Sequence, residues 1–153
     1  MNLIFRFSVL IAICISAVAA EPPPLITSLG EHPLAEGLRL IVRDRKPDPI
    51  EFTIARKFPD GTKTENSLSP LAAPGQPFVF CWVPDKKRLW VASADVTGYV
   101  DLSNLPSESP KESSSQSNLI HRTSSVPAKL VAEMPANFRD AAAKWFTVAA
   151  DSK

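Results

Sequence analysis

Hydrophobic and polar residues alternate with a period of two along residues 38–43 and again along residues 50–55. This period is typical of β-strands that turn one face toward a core. Pro59 presets φ for the first central position of a tight turn and Gly61 accepts a positive φ. The sequence therefore predicts a hairpin over about residues 50–68, with a mostly polar returning strand of the kind found at sheet edges.

A second and more apolar hairpin is predicted around a loop at residues 84–87. Its cross-strand pairs are predicted to be Trp82 with Leu89, Phe80 with Val91 and Cys81 with Trp90. Both faces of this hairpin are apolar, so we expect it at the centre of a sheet, with aromatic pairs that stabilise it. A last short strand is expected at residues 99–102.

Two segments flank this antiparallel β domain, which the pattern assigns to residues 33–102. Residues 21–32 form a proline-rich lead-in, which we expect to be stiff and extended because each proline fixes φ and lacks an amide donor. Residues 103–126 contain nine serines among 24 residues and few large apolar groups. Such a composition does not offset the entropy of ordering a backbone, so we expect a disordered linker there.

Helical spacing replaces the two-residue period in the C-terminal segment, residues 127–150. A short helix is predicted up to Met134, and Pro135 suits the first turn of a second helix. In that second helix Phe138 and Trp145 fall on one face. At roughly 15 residues it is marginal alone in water, so we expect its aromatic stripe to dock on a partner or on the β domain.

The first twenty residues have the pattern of a cleavable secretory signal peptide. Arg6 is their only charge, an apolar run follows it, and small residues end at Ala20. The apolar run of 14 residues is shorter than the roughly 20 that span a bilayer as a helix, which disfavours an uncleaved anchor. A lipoprotein attached at Cys14 is disfavoured because the preceding Ile13 is bulky. We expect cleavage before Ala20 or Glu21, and no stable membrane insertion afterwards.

Removal of residues 1–20 leaves a formally neutral chain with Cys81 as its one cysteine. An intramolecular disulfide is then impossible, and we expect Cys81 to be a buried core residue. A nucleic-acid partner is not expected, because that function needs a clustered basic face. The sequence contains no Asn-x-Ser/Thr acceptor, which favours a bacterial periplasmic or extracellular protein over a eukaryotic secreted one.

Catalytic and metal-binding patterns are scarce. His32 and His121 stand in no ligand or relay spacing, and no Gly-x-Ser-x-Gly elbow or phosphate-binding loop occurs. Asp95 and Asp101 flank a bend, yet their spacing is unlike an EF-hand loop. The basic run at residues 86–88 is expected to be solvated at a hairpin tip, with anion binding as the alternative. We therefore expect no metal, no cofactor and no enzymatic activity.

Aromatic side chains are the remaining candidates for a ligand or partner site. Trp82 and Trp90 are predicted on opposite faces of one hairpin, so a helix that covers one face leaves the other tryptophan for a ligand. Phe138 and Trp145 form the stripe of the C-terminal helix. Burial of these residues under that helix is the alternative to binding.

The predicted architecture is a small, mainly antiparallel β-sandwich or half-open barrel with a C-terminal amphipathic helix. The expected function is that of an exported, non-enzymatic binding or structural accessory protein whose partner is another protein. The main alternative is a module in which the helix docks on its own β domain, with a small-ligand or carbohydrate site on the remaining face. An envelope hydrolase is a second alternative.

Overall fold

Residues 21–103 and 125–149 are described by the structure, a computed structural model. The strands are β1 (Leu25–Ile26), β2 (Gly30–Ala35), β3 (Leu38–Arg43), β4 (Ile50–Lys57), β5 (Lys63–Ala72), β6 (Phe78–Val83), β7 (Arg88–Ser93), β8 (Thr97–Asp101), β9 (Ser125–Pro127) and β10 (Thr147–Ala149). The helices are α1 (Ala128–Glu133) and α2 (Ala136–Ala142), with short 3-10 turns at Pro84–Lys86 and Ala143–Trp145.

Two antiparallel four-stranded sheets form a sandwich, which confirms the predicted fold class. Sheet A has the order β1-β6-β7-β8, and sheet B has the order β2-β3-β4-β5. From residue 21 onward, the chain first forms the edge strand of sheet A, then builds the whole of sheet B as a meander, and returns to complete sheet A. β9 and β10 pair in parallel as a separate two-stranded ribbon beside the helices.

Strand register follows the sequence pattern closely in the two predicted hairpins. In β6 and β7, Trp82 pairs with Leu89, Phe80 with Val91 and Cys81 with Trp90, as predicted. β4 and β5 form the other hairpin, with β5 extending to Ala72. Leu38, Leu40 and Val42 of β3 all reach the core between the sheets, which confirms the face assigned to them.

Two hydrophobic clusters lie on opposite faces of sheet A. The sandwich core fills the space between the sheets and contains Phe52, Phe80 and Leu89, all without exposed surface. The second core lies on the outer face of sheet A and joins Trp90 of β7 to Phe138 of α2. Because successive side chains of a strand point to opposite faces, β6 and β7 supply both clusters.

The C-terminal segment, residues 125–149, docks on the β sandwich of its own chain. Asn137 Nδ2 donates to the carbonyl oxygen of Pro23 at 2.6 Å, and Arg88 of β7 forms an ion pair with Glu133 of α1 at 2.6 Å. The sequence left open whether this helix serves a partner or its own domain, and the structure shows the second arrangement. In the described ranges, no helix has the length and apolar character needed to cross a bilayer.

The structure differs from two of the predicted boundaries. The lead-in is not separate from the β domain, because β1 pairs with Phe80 and Cys81 of β6 and β2 starts at Gly30. The second helix is also shorter than predicted: the backbone becomes extended at Phe146 (φ −139°, ψ 158°) and continues into β10. The predicted signal peptide and residues 104–124 of the predicted linker lie outside the described residues.

Candidate functional site

Trp90 and Phe138, two of the four aromatic residues singled out in the sequence, form the centre of the second core. Neither has exposed surface. The Trp90 ring lies 5.1 Å from the Tyr99 ring and 5.9 Å from the Phe138 ring, centroid to centroid. With the C-terminal segment docked, both rings hold it on sheet A, and a ligand or partner contact at these two residues stays a prediction.

Trp145 and Trp82 occupy more open positions. Trp145 packs partly buried against the second core, with Lys144 Nζ 4.4 Å from its ring centroid. Trp82 points to the opposite face of sheet A and packs, also partly buried, at the edge of the sandwich core. Trp82 and Trp90 thus lie on opposite faces of sheet A, as predicted, with sheet B covering the face of Trp82 and the C-terminal segment covering the face of Trp90.

Trp82 lines a cavity of about 230 Å³ at one end of the sandwich, which we call the end pocket. Both sheets contribute to it. Its lining includes Glu36, Leu38, Arg56, Trp82, Lys87 and Leu102. Leu38 and Leu102 are buried members of the sandwich core, so the floor of the end pocket is apolar and its charged residues lie toward the opening.

Two backbone contacts fix the walls of the end pocket. The Lys57 amide donates to the Gly37 carbonyl at 2.7 Å, which joins the β2–β3 turn to the end of β4. Gly37 has φ +68°, and a Cβ there would lie 2.5 Å from the Lys57 carbonyl oxygen, so this approach requires glycine. On the other wall, the Leu102 amide donates to the Lys87 carbonyl at 2.8 Å.

Arg56 is a partly buried charged residue on the inner face of sheet B. It pairs with Leu38 in the ladder, two positions after the core residue Ile54, so strand alternation directs it to the inner face. Its guanidinium carbon lies 4.8 Å from the centroid of the buried Phe58 ring. Within residues 21–103 and 125–149, Arg56 has no carboxylate partner, and its Nη1 atom is buried without a hydrogen bond.

Trp82 also carries an unpaired donor, since its Nε1 atom is buried without an acceptor. A buried donor with no partner costs about 1–3 kcal/mol, and such groups are rare in folded proteins. Trp90 Nε1 and Asn137 Oδ1 are also buried and unpaired, but neither residue lines the end pocket. The end pocket is thus lined by two side chains that each carry a buried donor without a partner.

Electrostatics near the opening favour an acceptor with negative charge. Arg56 and Lys87 carry two positive charges along the lining, against one negative charge on Glu36. Beside them, hydrogen bonds from Ser103, including its amide at 2.9 Å, hold the pKa of Asp101 below its usual range, with a smaller contribution from Arg88. Asp101 is therefore ionised at neutral pH, and Ser103 and Arg88 hold it in place.

A larger groove of about 400 Å³ lies between β8 and the C-terminal segment. Two of its charged groups pair with each other: Arg88 binds Glu133 at 2.6 Å and stacks 4.4 Å above the Tyr99 ring centroid. The hydrogen bond to Glu133 is the main reason that the pKa of Arg88 is raised. The groove has fewer unmet hydrogen-bonding groups than the end pocket, which makes it the weaker candidate.

Nucleophilic and metal chemistry find little support among the other residues. Burial raises the pKa of the Cys81 thiol to about 11, and its Sγ lies 3.9 Å from the Pro23 carbonyl oxygen. Cys81 is thus buried as predicted and protonated at neutral pH. His32 Nε2 contacts the Ser28 carbonyl at 2.9 Å, while His121 lies outside the described residues. No group of three or more potential metal ligands occurs in the part of the chain that is described.

Comparisons with known proteins return no match: no family model, no curated protein and no solved structure is significantly similar to this chain. Arg56 and Glu36 were missed as candidates in the sequence. The signal for Arg56 was present, because it continues the inward series of Ile50, Phe52 and Ile54. Lys87 was considered as part of a basic run that was expected to be solvated, with anion binding as the alternative.

Proposed function

We propose that this protein is an exported, non-enzymatic binding protein that holds a small ligand in the end pocket of its β sandwich. The observation that supports this function best is the pair of buried, unpaired donors, Arg56 Nη1 and Trp82 Nε1, on side chains that line one cavity. Small-molecule sites typically combine an apolar lining with a few such polar groups.

The dimensions of the end pocket limit the ligand. At about 230 Å³ it falls below the roughly 300 Å³ at which sites for drug-sized molecules begin. It has space for about eight water molecules at roughly 30 Å³ each. The proposed ligand is therefore a fragment of on the order of ten non-hydrogen atoms, or the terminal group of a larger molecule such as an oligosaccharide.

Indole N–H signals in a ¹⁵N–¹H correlation spectrum provide the test. The chain has three tryptophans, and W82F identifies the Trp82 signal by its disappearance. We expect a binding compound to shift the Trp82 indole signal and to leave that of Trp90, which lies on the opposite face of sheet A, in place. Peptidoglycan fragments, oligosaccharides, small organic acids and their neutral analogues form the panel.

Two outcomes speak against the proposal. If no compound in the panel moves the Trp82 signal at millimolar concentration, the unpaired donors are met by structural water and the end pocket is not a ligand site. If Trp82 and Trp90 shift together, the compound acts on the fold as a whole. A selective, saturable shift of Trp82 supports the proposal.

Export is a separate part of the proposal and rests on residues 1–20, where one basic residue precedes a short apolar run and small residues. The corresponding compartment is the periplasm or the extracellular space of a bacterium. Mass spectrometry of the protein from its native host tests this point. A mature N-terminus at Ala20 or Glu21 supports export, and an intact Met1 refutes it.

A protein partner is the second candidate, favoured by exposed apolar side chains at the start of sheet A. Leu25 in the edge strand β1 is 37% exposed, and Leu29, which follows this strand, is 48% exposed. A protein that co-purifies with the wild type and is lost from L25K and L29K variants would support this function. Equal recovery with both variants would exclude this surface as the contact.

A further inference from the structure

We infer that the end pocket selects a carboxylate with a single negative charge and a short apolar body. This inference rests on the proposed function and names its ligand class. It also assigns roles to residues: Arg56 and Trp82 bind the carboxylate, Lys87 adds positive charge at the opening, and Leu38 and Leu102 contact the apolar body.

The hydrogen-bonding groups determine the polar end of the ligand. Arg56 Nη1 and Trp82 Nε1 are donors only, so they need an acceptor and gain nothing from a ligand hydroxyl hydrogen or an ammonium group. A carboxylate offers two oxygens with about four acceptor sites, which is more than a hydroxyl or an amide oxygen offers to such donors. Charge-assisted hydrogen bonds of this kind are about twice as strong as neutral ones.

The local charge determines how many negative charges the ligand carries. Arg56 and Lys87 contribute two positive charges to the lining and Glu36 contributes one negative charge, so the lining carries one net positive charge, while the neighbouring Asp101 pairs with Arg88 at 4.0 Å. A carboxylate balances this net charge. A phosphate monoester carries about −1.5 to −2 at neutral pH, so it leaves excess negative charge beside Glu36.

The floor of the end pocket determines the other end of the ligand. Leu38 is 8% exposed and Leu102 is 4% exposed, and both belong to the sandwich core. A short alkyl or aryl body covers this surface, and its burial stabilises the complex by about 25 cal/mol per Å² of apolar area removed from water. A saccharide ring places hydroxyl groups against the same two leucines and leaves those groups without partners.

A titration of the purified, ¹⁵N-labelled protein tests the inference with three probes of nearly equal shape. Hexanoate, hexanamide and hexyl phosphate share a chain of similar length and differ at the polar end. We expect hexanoate to shift the Trp82 indole signal with a Kd at least tenfold lower than that of hexanamide. Hexyl phosphate is expected to bind more weakly than hexanoate.

Variants test the residue roles. We expect R56Q to weaken the affinity for hexanoate at least tenfold and to change the affinity for hexanamide little, because the substitution removes an interaction with the charge of the carboxylate. The matched control is R39Q: Arg39 lies on β3, is exposed, and pairs with Glu31 at 3.1 Å, so its loss should leave both affinities unchanged. An unshifted Trp90 indole signal shows that each variant keeps the native fold.

The outcomes separate this inference from the proposed function. Equal affinity for hexanoate and hexanamide, or tighter binding of hexyl phosphate, overturns the carboxylate inference while the end pocket remains a ligand site. A panel in which no compound of any class shifts the Trp82 signal overturns both. The comparison of acid with amide uses the unmodified chain, so it decides the inference even if R56Q fails to fold.

Discussion

Phe138→Ala is the substitution that should most directly test how the C-terminal segment is held. Phe138 belongs to α2, has no exposed surface, and packs 5.9 Å from Trp90 between ring centroids. The substitution removes a whole ring from the second core and leaves a cavity against sheet A. The sandwich core, on the other face of the same sheet, is not touched.

Two responses are possible, and they differ in magnitude. If the segment stays docked, the cavity should lower the free energy of unfolding by about 3–5 kcal/mol, which is the usual range for Phe→Ala in a core. A domain of this size is stable by about 5–15 kcal/mol, so the loss is large and corresponds to a Tm decrease on the order of 10 °C. If the free energy of docking is smaller than the free-energy cost of the cavity, the segment detaches. The loss of stability then equals the docking free energy.

Urea denaturation followed by tryptophan fluorescence gives the stability, and the rate at which a thiol reagent labels Cys81 reports detachment. Cys81 belongs to the second core and is buried, so its labelling in native buffer should be slow in the wild type and fast in a detached variant. Val148→Ala is the control, since Val148 is 55% exposed in β10 and should change stability by less than about 0.5 kcal/mol. A loss below about 1 kcal/mol for F138A, with Cys81 still slow to react, would refute the view that this ring anchors the segment.

Three further predictions concern Ser93, Gly37 and Cys81. Ser93→Ala should cost about 1–3 kcal/mol in urea denaturation, because the buried Ser93 hydroxyl donates to a β5 carbonyl and accepts two backbone amides that would lose their partner. Gly37→Ala should destabilise more than Gly61→Ala: both have positive φ, but only at Gly37 would a Cβ lie 2.5 Å from the Lys57 carbonyl. Equal losses in the thermal melts of these two variants would contradict the close approach. The pKa of Cys81 is raised from 9.0 to about 11 in the fold, so its contribution to stability is fully present below pH 9 and is lost as pH rises from 9 to 11. Denaturation across that range should show a steeper decline for the wild type than for Cys81→Ala.

Most of the sandwich could be predicted because its strands obey a local rule. A period of two with one apolar face specified β3 and β4, and the loop at residues 84–87 specified the register of β6 with β7. β1 and β2 could not be found in this way. β1 has two residues, and β2 contains Pro33 and partly exposed side chains, so neither has the alternation of a half-buried strand. Pairing with β6 and β3 stabilises them, and such long-range contacts leave little local signal.

The C-terminal segment shows a second limit of local reasoning. Its apolar residues do recur at helical spacing. Because a helix of this length is marginal alone in water, the need for a docking surface could also be predicted. The end of α2 at Ala142 was not predictable from propensity, since alanine favours helix. The backbone instead becomes extended so that β10 can pair with β9, a contact with residues about twenty positions earlier.

The end pocket combines a predictable part with one that requires the assembled structure. Strand alternation alone directs Arg56 to the inner face of sheet B, and the hairpin register alone directs Trp82 to the inner face of sheet A. That both side chains meet at the same end of the sandwich depends on how the two sheets are superposed, which no local pattern encodes. An inward arginine without a carboxylate partner is costly in a core, and apolar residues would fill the same place more favourably. The unpaired arginine and indole both line a cavity, whereas the unpaired Trp90 indole does not, and this difference is the reason that we propose the end pocket as the ligand site.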